Sequence, residues 1–304
     1  MMTIMRPGRK ELNGLNIQWY PGHMTKTRRM IEADLKLVDL VAEVIDARIP
    51  RSSRNPDIDE LVGTKPRLIV LNCADQADPA LNKAWEKCFR ARGCAVLETD
   101  SKTGKGVDQF SNVARGALKE QIARWREKGQ VGRPVRVMVV GVPNVGKSTF
   151  INKVARRKSA KAQDRPGVTR GKQWVAVDAG LDLLDTPGIL WPKFEDQEVG
   201  RRLAYTGAIK DDIMDVEELG CTLMEELASR YPQALAERYR LTLEAGTPGW
   251  VLLEAAGRKR GFLISGGEVD LNRMARVLLD EFRGGKLGRF TLEAPEGVER
   301  CGAD

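Results

Sequence analysis

The segment that most constrains this chain is Val135–Val140, the clearest strand in the sequence, which leads directly into Gly141-Val142-Pro143-Asn144-Val145-Gly146-Lys147-Ser148. This is the pattern GxxxxGK[ST] between a strand and the mouth of a helix. Its glycines let backbone N–H groups turn inward around phosphates, and the helix N-terminus adds a positive dipole. Lys147 supplies a point charge to β and γ phosphoryl oxygens, and Ser148 offers a hydroxyl to Mg²⁺. Asn144, Val145, Gly146, Lys147, Ser148 and Thr149 are therefore expected to line a nucleoside triphosphate. A strand, loop and helix of this kind imply an α/β fold.

The flanking sequence agrees with that fold. Leu37 to Ile45, Arg67 to Leu71 and Ala95 to Leu97 are short apolar runs, as expected of strands buried on both faces of a mostly parallel sheet. Asp78 to Arg92 and Val107 to Lys128 have helical spacing, and Gln173 to Val177 with Leu181 to Leu184 predicts a hairpin. From Gln197 onward apolar residues recur at helical intervals, including Leu223, Leu227, Leu235, Leu241, Met274, Val277, Leu278 and Phe282. The pattern predicts two domains, 1–196 carrying the phosphate loop and a smaller helical domain over 197–304. The helical part is expected to be interrupted by a loop at Gly257 to Gly261 and to end its last long helix at Gly284-Gly285.

Composition narrows the class of protein. No run reaches the roughly 18 apolar residues of a membrane span. The basic start is followed by Glu11, Asn13 and Asn16 rather than an apolar stretch, so no secretory signal is expected. Five scattered cysteines lack CxxC spacing, which fits a reducing, cytoplasmic setting. Lysine and arginine number 50 against 42 acids, for a net charge of +8. The excess is concentrated before Met30 and between Lys153 and Lys172, which makes a polyanionic partner plausible; a solvated basic face is the plainer reading of either cluster.

Asp185-Thr186-Pro187-Gly188 follows an apolar strand, where a second carboxylate can hold a metal through water and a glycine N–H can meet the γ-phosphate. Alone it reads equally as a turn; beside the glycine loop it completes a metal–triphosphate site. Thr169, in Pro166-Gly167-Val168-Thr169, is a candidate to close the metal shell with Ser148 and Asp185, or is a threonine in a surface turn. Asn72-Cys73-Ala74-Asp75 resembles the NKxD motif of GTPases. The Asp75 carboxylate can accept hydrogen bonds from guanine N1–H and N2–H₂, which adenine cannot reciprocate, while Asn72 braces the base loop against the phosphate loop. Cys73 replaces the usual lysine, and a plain turn carrying Asn and Asp is the alternative. Thr99-Asp100-Ser101-Lys102 is similar to the SAK loop, in which a backbone N–H meets guanine O6 and the lysine covers the ring, making Ser101 and Lys102 candidates.

Both base motifs precede the phosphate loop. With Trp19-Tyr20-Pro21-Gly22-His23-Met24, Asp46-Ala47-Arg48-Ile49-Pro50, Ser52 to Pro56 and Gly284 to Arg289, this order resembles the circularly permuted P-loop GTPases of the ribosome biogenesis GTPase A family. The resemblance implies hydrolysis of GTP to GDP and phosphate with Mg²⁺ as cofactor and with stimulation by the ribosomal particle. It also implies a switch-type role in late maturation of the large ribosomal subunit, whose precursor and ribosomal RNA would be partners of the helical domain. Ile189 stands where Ras-like enzymes carry a water-orienting glutamine, and the family's PGHM position makes His23, the sole histidine, the candidate for that task. A structural or RNA-contacting histidine is the alternative. Asn144 resembles the asparagine that potassium-stimulated GTPases use to hold K⁺, and otherwise is a good loop residue. Two other functions stay open: an RNA-binding scaffold with weak or vestigial GTPase activity, and a permuted GTPase acting on another RNA. The oligomeric state is not legible.

Overall fold

The structure, a computed structural model, describes residues 24–156, 173–178, 180–186, 188, 196–211 and 214–297. Of these, 24–188 together with 293–297 form one compact unit, and 196–292 form a second.

The first unit is built on strands β1 (Leu40–Asp46), β2 (Arg67–Asn72), β3 (Ala95–Glu98), β4 (Val135–Val140), β5 (Gln173–Asp178) and β6 (Leu181–Asp185). They lie in the order β3-β2-β1-β4-β6-β5, and every neighbouring pair is parallel except the β5–β6 hairpin. Strand β1 is buried along its whole length at the centre of the covered sheet, its two acids included, since Glu43 is paired with Arg54 and Arg67 and Asp46 with Arg48. The covering helices are α1 (Met24–Leu35), α2 (Asp57–Val62), α3 (Pro79–Ala91), α4 (Phe110–Ala117), α5 (Lys119–Glu127) and α6 (Lys147–Arg156). Ile31, Val38, Ile58 and Met138 centre one core cluster; Ile45, Ile69, Trp85 and Phe89 centre another. Helix α3 begins where the sequence sets it: the Asp78 carboxylate accepts from the amides of Ala80 and Leu81 at 2.8 and 3.3 Å, with Pro79 opening the first turn.

Three details depart from the sequence reading. The helical stretch from Val107 to Lys128 breaks at Leu118, whose buried side chain and φ of −109° divide α4 from α5, two residues after the weak helix former Gly116. Gly257 does not interrupt a helix. It lies inside one because a Cβ there would come within 2.4 Å of Val269 Cγ1, so the glycine serves close packing. Third, Glu293, placed by the sequence in the helical domain, is buried in the first unit. Its carboxylate accepts from the Arg51 and Ser52 amides and the Ser52 hydroxyl, while its carbonyl accepts from Trp85 Nε1 at 3.0 Å.

The second unit contains α7 (Gln197–Tyr205), α8 (Val216–Arg230), α9 (Pro232–Tyr239), α10 (Gly249–Lys259) and α11 (Leu271–Arg283). Helix α8 packs against both α10 and α11, burying Leu223, Leu227, Leu253, Met274, Leu278 and Phe282, each of which contributes roughly 1.5–3 kcal/mol. Gly284 caps α11, and the following Gly285 has a φ of +69°. Arg283 fastens this end to α7, donating to Asp211 at 2.7 and 2.8 Å and to the Tyr205 carbonyl at 3.0 Å. Among the described residues no helix is long and apolar enough to cross a membrane.

Glu281 is the polar hub of the second unit. Burial by itself would raise its pKa, but hydrogen bonds from Arg238 and Tyr239, with the Arg260 charge, hold it below the usual 4.5. A carboxylate depressed on folding stabilises above its unfolded pKa, and that stability is lost as pH falls through the folded value. Glu281→Gln should therefore be clearly less stable than the parent at pH 7, by about 1–3 kcal/mol in urea unfolding, with the gap closing towards pH 3. A gap independent of pH would contradict this assignment.

Candidate nucleotide site

The phosphate loop joins β4 to α6 through two left-handed residues, Asn144 at φ 57° and Gly146 at φ 91°. Gly146 is required twice. It takes the positive φ without strain, and a Cβ there would come within 2.3 Å of Asn72 Nδ2. That contact is the centre of the site. Asn72, at the end of β2, is buried and donates from Nδ2 to the Val145 carbonyl at 2.8 Å. Its Oδ1 accepts from the Ser101 amide at 3.1 Å, the Ser101 hydroxyl at 2.6 Å and the Thr99 hydroxyl at 3.3 Å. One amide thus ties Asn72-Asp75 and Thr99-Lys102 to Gly141-Ser148. The Ser101 N–H is occupied by this contact and points at Asn72.

The loop after β3 is ordered by its own aspartate. Asp100 accepts from the Lys102 and Thr103 amides at 2.8 and 3.2 Å and from the Thr103 hydroxyl, and these bonds outweigh burial to hold its pKa down. The Asp75 carboxylate and the Lys102 side chain are exposed beside it, open to a base. Cys73 sits at φ 58°, and burial, with Asp46 nearby, pushes its thiol up to about 12, so it is a neutral group.

At the other end of the site, Lys147 is buried with its ammonium donating to the Thr186 carbonyl, 3.8 Å from Asp185 Oδ1. Burial pulls its pKa down to about 8 against the opposing pull of Asp185. Asp185 ends β6 opposite Val139 of β4, and burial raises its pKa despite Lys147. Its Oδ1 is buried with no hydrogen-bond partner. A carboxylate oxygen left in this condition beside a lysine, with the Ser148 hydroxyl exposed nearby, is the donor set a hard, oxygen-seeking cation needs. Gly188 lies against the phosphate loop, since a Cβ there would meet Pro143 Cα at 2.9 Å. Asn144 and Thr149 are exposed at the loop's mouth, and Val145 is buried beneath it. His23, Thr169 and Ile189 lie outside the described residues.

Three residues near the site carried no assigned role in the sequence reading. Arg48 is buried and grips Asp46 through Nε and Nη2 at 2.9 and 2.7 Å, then donates to Gln76 Oε1 at 3.0 Å. Burial works against its charge, but Asp46 more than compensates and its pKa rises. Arg48 and Gln76 therefore pin the segment next to Asp75 to the end of β1. The one sequence signal was Asp-x-Arg directly after an apolar strand. Thr186, whose hydroxyl donates to the Val139 carbonyl at 2.7 Å, fixes the carbonyl that receives Lys147.

The family model described as 50S ribosome-binding GTPase matches residues 136–234. Ribosome biogenesis GTPase A of Priestia megaterium is 47% identical over 94% of this chain and 99% of its own length. Its counterpart in Bacillus cereus is 47% identical over 92% of this chain and 94% of its own. Of solved structures, GDP-bound TM YlqF matches with a TM-score of 0.64 and 29% identity, across 88% of this chain and 100% of that one. With base motifs that precede the phosphate loop in sequence yet are bonded to it in space, and with identity of this extent, the chain belongs to the ribosome biogenesis GTPase A family and is a GTP hydrolase.

Proposed function

We propose that this protein is a GTP-driven assembly factor for the large ribosomal subunit, binding its precursor RNA in the GTP state and leaving after hydrolysis. The observation that carries the reading is the Asn72 bridge, because occupancy of the guanine loops and of the phosphate loop is coupled through one buried side chain. Asp75 reads guanine and Lys102 covers it, with Ser101 acting through Asn72. The amides around Asn144 to Thr149 and the Lys147 ammonium take the phosphates. Mg²⁺ would be held by Ser148 and Asp185, with Thr169 proposed from the sequence as a third ligand, and would supply neutralisation of phosphoryl charge. Gly188 follows Asp185 in a chain that continues into the helical unit, so a shift at the γ-phosphate has a covalent route to the helices proposed to bind RNA. The reaction transfers the γ-phosphoryl group to water, with cleavage of the bond to the β-phosphate oxygen. His23 is proposed to orient that water, and Asn144 to hold a K⁺ ion that stands in for an arginine finger. Ribosomal particles are expected to stimulate the reaction. The match to the family of 50S ribosome-binding GTPases supports the large subunit as the partner.

Three measurements test these roles. Asn72→Ala should weaken GTP and GDP alike by roughly 10- to 150-fold, the equivalent of about 1.5–3 kcal/mol for a buried hub left unpaired, with the circular dichroism spectrum retained; unchanged affinity refutes the bridge. In sedimentation with separated subunits, the protein should travel with the large subunit in a non-hydrolysable GTP analogue and be released in GDP. Equal binding in both states would remove the switch. In single-turnover hydrolysis on particles in K⁺ buffer, His23→Ala should slow the chemical step by about 10²–10⁴-fold at equal GTP occupancy, and an unchanged rate would exclude His23.

A further inference from the structure

The loops that make the nucleotide site leave the C-terminal ends of β1, β2, β3, β4 and β6. The opposite end of the same sheet carries a separate concentration of charge. From Arg115 to Arg136 there are seven basic residues, Arg115, Lys119, Arg124, Arg126, Lys128, Arg133 and Arg136, against Glu120 and Glu127. This segment is α5 and the turn that leads into the start of β4, so a six-residue strand separates it from the phosphate loop by roughly 20 Å.

The arrangement is shaped as well as charged. A cavity of about 430 Å³ opens between α5 and the β5–β6 turn, lined by Arg115, Lys119, Trp125, Arg126, Arg133 and Gly180 among others. Two of its cations are partly spent: Arg115 pairs with Asp178, and Arg133 with Asp39 at 2.8 Å. Lys119 and Arg126, seven positions apart and hence on one face of α5, are exposed, and so is Lys128. Among the described residues none of these three has a carboxylate within ion-pair distance.

Two guanidinium groups lie over indole rings. Arg133 lies 4.0 Å from the Trp125 ring centroid, and Arg136 lies 5.4 Å from that of Trp174, which is 38% exposed. Stacking in this way fixes an arginine while leaving its in-plane N–H groups for phosphate oxygens, and an exposed indole beside it offers a face to an unpaired base.

We propose that the surface running from α5 past Arg136 to Trp174, at the start of β5 opposite Leu184, is a second RNA-docking surface of the GTPase unit, taking phosphates at Lys119 and Arg126 and a base against Trp174 and Arg136. RNA is favoured over a small phosphorylated ligand because Lys119 and Arg126 are spaced about 10 Å apart along one face of α5 and the exposed Trp174 indole lies outside the cavity they line. The inference rests on the reading that ribosomal RNA is the partner, and it adds a contact that does not involve the nucleotide site.

The test is a charge reversal in the full chain, K119E/R126E, with Trp174→Ala as a second variant and K119R/R126K as control. Both reversed positions are exposed, so GTP affinity and particle-free hydrolysis should match the parent. Affinity for protein-free large-subunit ribosomal RNA should fall at least tenfold, and the slope of log K against log salt should lessen by about 2. Trp174→Ala should weaken single-stranded segments while leaving that slope in place. Parental affinity and slope in the double variant would overturn the proposal. So would loss of binding to intact particles with naked RNA binding retained, which would assign the face to an acidic ribosomal protein. Failure of the parent chain itself to bind the RNA would instead overturn the functional reading on which this one stands.

Discussion

The site depends on one side chain reaching across a strand. Asn72 ends β2, the phosphate loop follows β4, and β1 lies between them in the sheet. Neighbouring strands are about 4.8 Å apart, so the two loops start nearly 10 Å from one another and must lean together over the end of β1. The space they need is made by missing Cβ atoms. A Cβ on Gly141 would fall 2.5 Å from the Val44 carbonyl of β1, and one on Gly146 would fall on the Asn72 amide itself. Once in place, the amide satisfies a buried carbonyl on one side and an N–H and two hydroxyls on the other. Each of those groups would cost about 1–3 kcal/mol if buried and left unpaired, so the loops are held in a shape that suits a nucleotide before one arrives.

Around this bridge the buried charges fall into two kinds. Asp46 with Arg48, and Glu43 with Arg54 and Arg67, are closed sets in which each charge has its counterion at hydrogen-bond distance. They fix the backbone at the end of β1 and beside it, where Gln76 and the Asp75 segment are anchored through Arg48. Lys147 and Asp185 are an open set. Their charges stand 3.8 Å apart without a hydrogen bond between them, each pushed by burial towards its neutral form, and one carboxylate oxygen has nothing to accept. A closed set gains little from any ligand, whereas an open one gains on meeting an anion at the lysine and a cation at the aspartate. The electrostatics thus mark the place where charge is to be bound.

Most of the sheet was legible in the sequence because buried parallel strands are written as short runs dominated by Val, Ile and Leu, as in Val135–Val140, where only Arg136 is exposed. The phosphate loop was legible for a related reason, since its glycines and lysine answer to local geometry. Contacts between residues remote in sequence were not. Arg48 meets Gln76 only after β1 and β2 pair, and Glu293 reaches Ser52 across 241 positions. Gly257 misled because a glycine that breaks a helix and one that lets Val269 approach are the same letter. The cations around α5 were not singled out in the sequence, where the basic excess was read before Met30 and between Lys153 and Lys172, and the indoles beside Arg133 and Arg136 became visible only in the fold.

The permuted order changes what such a site can control. When the base motifs come first, the aspartate and glycine after β6 are followed by more chain rather than by the motifs that complete the site. In this protein that chain is the helical unit, and beyond it Glu293 returns to the first unit, buried against Arg51 and Ser52 next to the Asp46–Arg48 pair. The helical unit is therefore joined through the chain to the first unit at both ends, after Gly188 and at Glu293. A single tether would transmit a shift as a swing of a free end. Two tethers restrict the conformations open to the intervening segment, so a displacement at one must be taken up within it or passed to the other.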